Sequence, residues 1–211
     1  MTGCDWSRSR PASLVRCAFQ DGVLVPVVRA CFGVRTAGGE SNLEGALLIV
    51  ANHASHLDTP AILAALPPHI RHRTAVAAAA DYFYRSRLVG SAASLGIGTF
   101  AFARHGRDGT TCATRLLADG WNVLLFPQGS RGSDPTWQAF RAGVGHLVAD
   151  TGVGVLPLAV SGTRTLWPRG QRFPRLGPID IRFGQVWRPA PDLSPCDIVS
   201  QLEAQVKELL K

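Results

Sequence analysis

Residues Asn52 to Asp58 hold the groups of this chain best suited to proton chemistry: an imidazole at His53 and a carboxylate at Asp58. A neutral imidazole is the side chain that most readily accepts a proton near neutral pH. A carboxylate on its other ring nitrogen fixes the tautomer and stabilises the imidazolium that forms. No G-x-S-x-G elbow supplies an activated serine, so the proton His53 removes would belong to a substrate hydroxyl rather than to a side chain. A plainer alternative stands beside this one: Asp58 caps the helix that follows it, and His53 is a satisfied polar residue.

The elements that must hold these groups can be read around them. Leu47-Leu48-Ile49-Val50 is an aliphatic, β-branched run, short enough to favour a buried strand. It breaks at Asn52-His53. A helical pattern resumes after Asp58, with Thr59 and Pro60 in a first turn that tolerates proline. A loop leaving a buried strand is where α/β proteins place reactive groups. A second such loop, Pro127-Gln128-Gly129-Ser130-Arg131-Gly132, follows the strand Trp121 to Phe126. Its glycines let backbone amides approach an anion and its arginine adds donors, which suits a phosphate cradle. An ordinary glycine-rich turn with a solvated arginine would read the same way.

Further strands are expected over 74–79, 99–103, 153–160 and 179–186, with Pro157 arguing for an edge or a bulge in the third. Helices are expected over 59–66, 82–95, 109–119, 140–150 and 192–211. The stretch from Thr163 to Pro178 is rich in arginine and proline and carries Trp167. It lines a groove or is a surface excursion, and its length favours a role. Residues up to about Arg10 read as a loose tail. Pro11 to Val34 reads as an amphipathic helix broken at Pro26, lying on a membrane interface or covering the sheet. We therefore divide the chain into a tail and amphipathic element over 1–36 and a main domain over 37–211.

At 211 residues one domain with a substantial core is the expectation. No run reaches the roughly 18 apolar residues of a membrane span; the best candidate, Gly22 to Val34, is cut by Pro26 and Arg29. No secretory leader is visible, and five scattered cysteines without metal spacing suit thiols in a reducing compartment. The net charge of +7 rests on arginine, Lys207 and Lys211 being the lysines. Such a surface favours anionic lipid or an acidic carrier protein. GC-rich coding would give the same arginine excess. Nucleic-acid binding lacks support, because no aromatic-basic stacking pattern accompanies the charge.

Four blocks, taken in order, resemble the glycerolipid acyltransferase family typified by 1-acyl-glycerol-3-phosphate acyltransferase. Asn52 to Asp58 is similar to its N-H-x4-D block, Gly98 to Arg104 to its arginine-ended second block, Phe126 to Arg131 to its F-P-E-G-T-R block, and Val155 to Val160 to its proline-centred apolar block. The resemblance implies a mixed α/β sheet with helices on both faces and an N-terminal helical element dipping into lipid. It implies His53 as general base oriented by Asp58, and acyl transfer from acyl-CoA or acyl-carrier protein to a lysophospholipid hydroxyl without a covalent acyl-enzyme. Asn52, Arg104, Gln128, Gly129, Ser130 and Arg131 would bind substrate, with the arginines on the acceptor phosphate. No metal or resident cofactor is implied, and the location implied is peripheral, on the cytoplasmic face of a membrane.

Two departures bear on this. Gln128 stands where the family has glutamate, removing a charge near Arg131. Ala77-Ala78-Ala79-Ala80 occupies a region where many members carry lysine. A different acceptor, an amino-lipid or glycolipid hydroxyl, therefore stays open, as does a membrane-binding scaffold weakened in turnover by Gln128.

Overall fold

The computed structural model describes residues 6–39, 43, 45–79, 87–102, 108–129, 137–168 and 170–211. Seven strands form one sheet in the order β1-β7-β6-β2-β5-β3-β4. They are β1 (Arg35–Gly38), β2 (Leu47–Ala51), β3 (Thr74–Ala79), β4 (Thr99–Phe102), β5 (Asn122–Leu125), β6 (Gly154–Ser161) and β7 (Asp180–Phe183). Strands β6, β2, β5, β3 and β4 run parallel; β7 is antiparallel to β6 and parallel to β1, so the sheet is mixed.

β2 lies in the middle of this sheet and all of its side chains are buried, which explains why its sequence is continuously apolar rather than alternating. Leu47, Ile49 and Ala51 join the core on one face with α2 (Val25–Phe32), α3 (Asp58–Ala65) and Ile70 of α4 (Pro68–Arg71). Leu48 and Val50 join the core on the other face. There they meet α6 (Asp108–Ala118), α7 (Gly143–Thr151) and α9 (Pro195–Leu209). α5 (Arg87–Ile97) precedes β4, and α8 (Thr163–Leu166) follows β6. This is the single α/β domain with helices on both faces that the resemblance implies.

Pro157 lies in an internal strand, paired with Val50 of β2 in the parallel ladder. On its other side the β6–β7 ladder stops at Leu158↔Phe183, and the next bridge is Val155↔Trp187. Four steps along the chain after Phe183 thus span three on β6, which is a bulge. The bulge accommodates the missing proline N–H, and Gly184 N still donates to Pro157 O at 2.9 Å. Of the two expectations for Pro157, the bulge holds and the edge does not.

The N-terminal segment is one helical rod. α1 (Arg10–Phe19) passes through a π-helical turn (Gln20–Leu24) into α2, whose first turn holds Pro26. The π-helical turn, in which Val25 N donates to Gln20 O, stands immediately before Pro26, so the helix continues in a wider form where the sequence suggests a break. Gly33 ends it in the left-handed conformation at φ 50. Residues just before α1 are not a loose tail: Trp6–Arg8 form a 3-10 turn, and Ser7 O accepts from Arg16 Nη1 at 2.7 Å. Cys17, Cys31 and Cys196 are free thiols, whereas Cys112 is disulfide-bonded, a correction to the reading of all five cysteines as thiols.

Candidate active site

Because β2, β5 and β6 are parallel, the chain leaves all three at one end of the sheet, the end at which open α/β sheets bind ligands. Residues 52–57 leave β2, Phe126 to Gly129 leave β5, and α8 with Trp167 follows β6.

His53 Nδ1 lies 2.8 Å from Asp58 Oδ2. The Asp58 side chain is 0% exposed and that of His53 is 20% exposed. A carboxylate accepts, so the contact places a proton on Nδ1, and in the neutral imidazole Nε2 is then the nitrogen with the lone pair. The same Oδ2 accepts from Ala54 N at 2.6 Å and from Ser55 N at 2.8 Å. Asp58 is the first residue of α3, yet its carboxylate turns back onto the preceding loop instead of capping its own helix. The alternative reading of Asp58 as a plain helix cap therefore fails. One buried oxygen gathers both the imidazole and the loop that carries it. Phe126 stacks on the His53 ring at 4.2 Å between centroids and 23° between planes, and an aromatic face favours a cation above it.

The amide of His53 itself is held from the loop that follows β5. His53 N donates to Gln128 Oε1 at 2.6 Å, while Gln128 Nε2 donates to Gln138 O at 3.1 Å. Gln128 thus spans from the His53 backbone to the segment before α7, and its second bond requires a donor that glutamate lacks. Asn52 pairs with β6 in both directions, Nδ2 to Val160 O at 2.9 Å and Val160 N to Oδ1 at 2.8 Å. Its carboxamide is thereby engaged with the scaffold. Ser55 Oγ donates to Trp167 O at 3.0 Å, and the Trp167 ring lies 5.6 Å from that of His56. The Thr163 to Pro178 stretch is thus fastened to the His53 loop.

Gly129 has φ 72, and a β-carbon there would come within 2.6 Å of Arg141 Nε. Glycine is required both for the turn and for this close arginine. Arg104, Ser130 and Arg131 lie outside the described residues. The structure thus joins His53, Asp58, Asn52, Gln128 and Gly129 in one cluster. Sequence reading missed Gln138 and Arg141 as neighbours of that cluster; it noted Phe126 at the head of the third block and Trp167 in a stretch that could line a groove, but assigned neither a place beside His53 or His56. Phe126 had a local signal, its place at the end of a buried strand; the others depend on pairings between distant segments.

Glu203 of α9 supports the site from behind. It accepts from Trp137 Nε1 at 2.9 Å and from Phe140 N at 2.7 Å, the residues flanking Gln138. Burial pushes its pKa up, but the hydrogen bonds from Lys207, Phe140 and Trp137 outweigh that and leave it below the usual carboxylate value. Among the described residues, no group of three or more His, Cys, Asp or Glu comes together as a metal site.

Comparison with known proteins agrees with this geometry. The family model described as Acyltransferase matches residues 34–161. A 1-acyl-sn-glycerol-3-phosphate acyltransferase of Chlamydomonas reinhardtii is 41% identical over 71 residues, 34% of this chain and 20% of that protein. An uncharacterized protein of Mycobacterium bovis is 28% identical over 165 residues, 71% of this chain and 44% of that one. The chain therefore spans between a fifth and under a half of these curated relatives. Among solved structures, the 1-acyl-sn-glycerophosphate acyltransferase PlsC of Thermotoga maritima superposes with a TM-score of 0.72. That match covers 93% of this chain and 77% of that one at 21% identity, a likeness of fold.

Proposed function

The chain belongs to the Acyltransferase family, and on that premise we propose that it moves a fatty acyl group from an acyl thioester to a lysophospholipid hydroxyl, 1-acyl-glycerol-3-phosphate being the first candidate acceptor. The observation that carries this reading is the His53–Asp58 pair, with Nδ1 bound at 2.8 Å to a fully buried carboxylate, the arrangement that makes Nε2 of a neutral imidazole the base.

In this mechanism His53 Nε2 takes the proton of the acceptor hydroxyl as its oxygen attacks the thioester carbonyl. Asp58 and the Phe126 face stabilise the imidazolium. Collapse of the tetrahedral intermediate breaks the carbon–sulfur bond, and His53 returns the proton to the leaving thiolate. The ester and free thiol account for every atom, and no group on the protein is acylated. Aligning two substrates at a fixed base contributes on the order of 7–11 kcal/mol in the best cases. Gly129 supplies a close-approach backbone and Arg141 a guanidinium beside it. Arg104, Ser130 and Arg131 are proposed acceptor-phosphate ligands on the strength of the family resemblance. CoA and carrier protein are both admissible donors.

A peripheral seat on a membrane supports a lipid acceptor. Leu14, Val15, Phe19, Val23 and Val27 are exposed on the N-terminal rod. Of the rod's charges, Arg16 is buried, Asp21 is bonded to Arg71 and His72, and Arg29 Nη2 donates to Ala64 O, while Arg10 is exposed at its start, one turn before Leu14. The result is an apolar ridge with a cation at its N-terminal end, a pairing that suits an anionic lipid interface. No described helix is long and apolar enough to cross a membrane.

The alanine run of β3 favours retaining a second acceptor class, an amino-lipid or glycolipid. The deciding experiment supplies long-chain acyl-CoA with lysophosphatidate, neutral lysolipids and glycolipids in parallel and identifies the acylated product by mass. Phosphatidate as the main product supports the first candidate; a neutral or glycolipid ester would replace it.

A further inference from the structure

Phe173 and Leu176 are 71% and 73% exposed, as open as Leu14 on the N-terminal ridge at 72%. They lie in the connection between α8 and β7, well separated in sequence from that ridge. The connection is not slack. Arg175 N donates to Leu166 O at 2.8 Å, closing the loop at its base. Trp167 Nε1 donates to Gln171 O at 2.9 Å, and Gln171 N to Pro168 O at 3.3 Å. The two apolar side chains are thus held outward by a bonded backbone. From Gly162 to Ile179 the sequence contains Arg164, Arg169, Arg172 and Arg175 and no Asp or Glu. Arg172 and Arg175 are exposed, and Arg172 lies 5.5 Å over the Phe173 ring. Trp167, at the base of the loop, is the residue bonded to Ser55 of the His53 loop.

We propose that the connection from Trp167 to Pro178 is a second lipid-contact element, which seats Phe173 and Leu176 in the interface of an anionic bilayer while its arginines meet lipid phosphates. Large apolar side chains beside the exposed Arg172 and Arg175 match a surface that is apolar below and anionic above. A bilayer needs no shaped pocket, and Phe173 and Leu176 stand outward on either side of Pro174 and Arg175. The tether through Trp167 and Ser55 then places the His53 loop beside the surface from which a lipid acceptor is drawn. The purpose of this contact rests on the acyltransferase reading; the contact itself does not.

The test measures co-sedimentation of the full chain with phosphatidylcholine vesicles, with and without phosphatidylglycerol. Phe173→Ser with Leu176→Ser should lower partition onto the anionic vesicles on the order of tenfold. Arg172→Gln with Arg175→Gln should lower it by about fivefold per arginine, an effect that fades at high salt. Both variants should keep parental turnover of a water-soluble short-chain acceptor and lose it on vesicle-borne acceptor. Unchanged partition in both would overturn the proposal. Equal losses on soluble and vesicle-borne acceptor would also overturn it, by making the loop part of the acceptor site. A chain inactive with every acceptor would refute the acyltransferase reading and leave the sedimentation result to judge the loop.

Discussion

At the scale of single residues, the site is organised by which atom donates to which. Asp58 Oδ2 collects the imidazole and two loop amides, so exchanging it for an amide costs geometry as well as charge. Asp58→Asn should leave the chain folded yet lower turnover by on the order of 10⁴, the scale seen when a triad aspartate is replaced by its amide. Steady-state thiol release with the variant checks this. Gln128 is the more informative position. Its glutamate variant can still accept from His53 N but would set a carboxylate against the Gln138 carbonyl, at a cost of about 1–3 kcal/mol. Gln128→Glu should therefore slow turnover. By adding negative charge beside the imidazole, it should also move the acid limb of the rate profile to higher pH. A faster enzyme with an unmoved limb would show that the amide is a loss rather than a fitted part. The pairing of His53 with Asp58 is legible in the sequence because it closes within one short loop. The partners of Gln128 are not, because the Gln138 carbonyl reaches it only through tertiary packing.

At the scale of elements, two contacts hold the machinery in place. α7 meets α9 at Gly145, where a β-carbon would fall 2.1 Å from Pro195 O, so the helices touch through backbone. Gly145→Ala should cost about 1–3 kcal/mol, or more if α9 must move. That lowers the melting temperature by about 2–4 °C per kcal/mol, which calorimetry would read. Glu203 joins α9 to the segment that carries Gln138. Its pKa is lowered by folding, so its contribution is fully present above the ordinary value of 4.5 and is lost as pH falls through the lowered one. Glu203→Gln should thus destabilise the chain near neutrality, and the gap from the parent should narrow in acid; a gap independent of pH would contradict the assignment. The buried strands and longer helices were legible from apolar runs and glycine or proline stops, whereas β1, four exposed residues without an apolar run, was not. The 3-10 turn at Trp6–Arg8 was not, because its partner is the buried Arg16, which polarity alone would place on the surface.

At the scale of the whole molecule, the sheet order brings loops from β2, β5 and β6 to one end. The sequence shows the blocks in order but not their convergence, since strand order depends on crossovers that periodicity does not encode. The β7 reversal and the bulge opposite Pro157 were likewise visible only as a proline in a strand. Replacing Leu14, Val15 and Val27, the most exposed residues of the ridge, together by serine should weaken binding to anionic vesicles with only a small fall in melting temperature, because more than half of each side chain already faces solvent. The central claim is that His53 takes the proton of an acceptor hydroxyl, and it is tested most directly by acceptor-dependent thiol release from acyl-CoA in the parent and in His53→Ala, with circular dichroism on both. The account predicts release in the parent and its loss, by several orders of magnitude, in an equally folded variant. Substantial acceptor-dependent release from His53→Ala would contradict it.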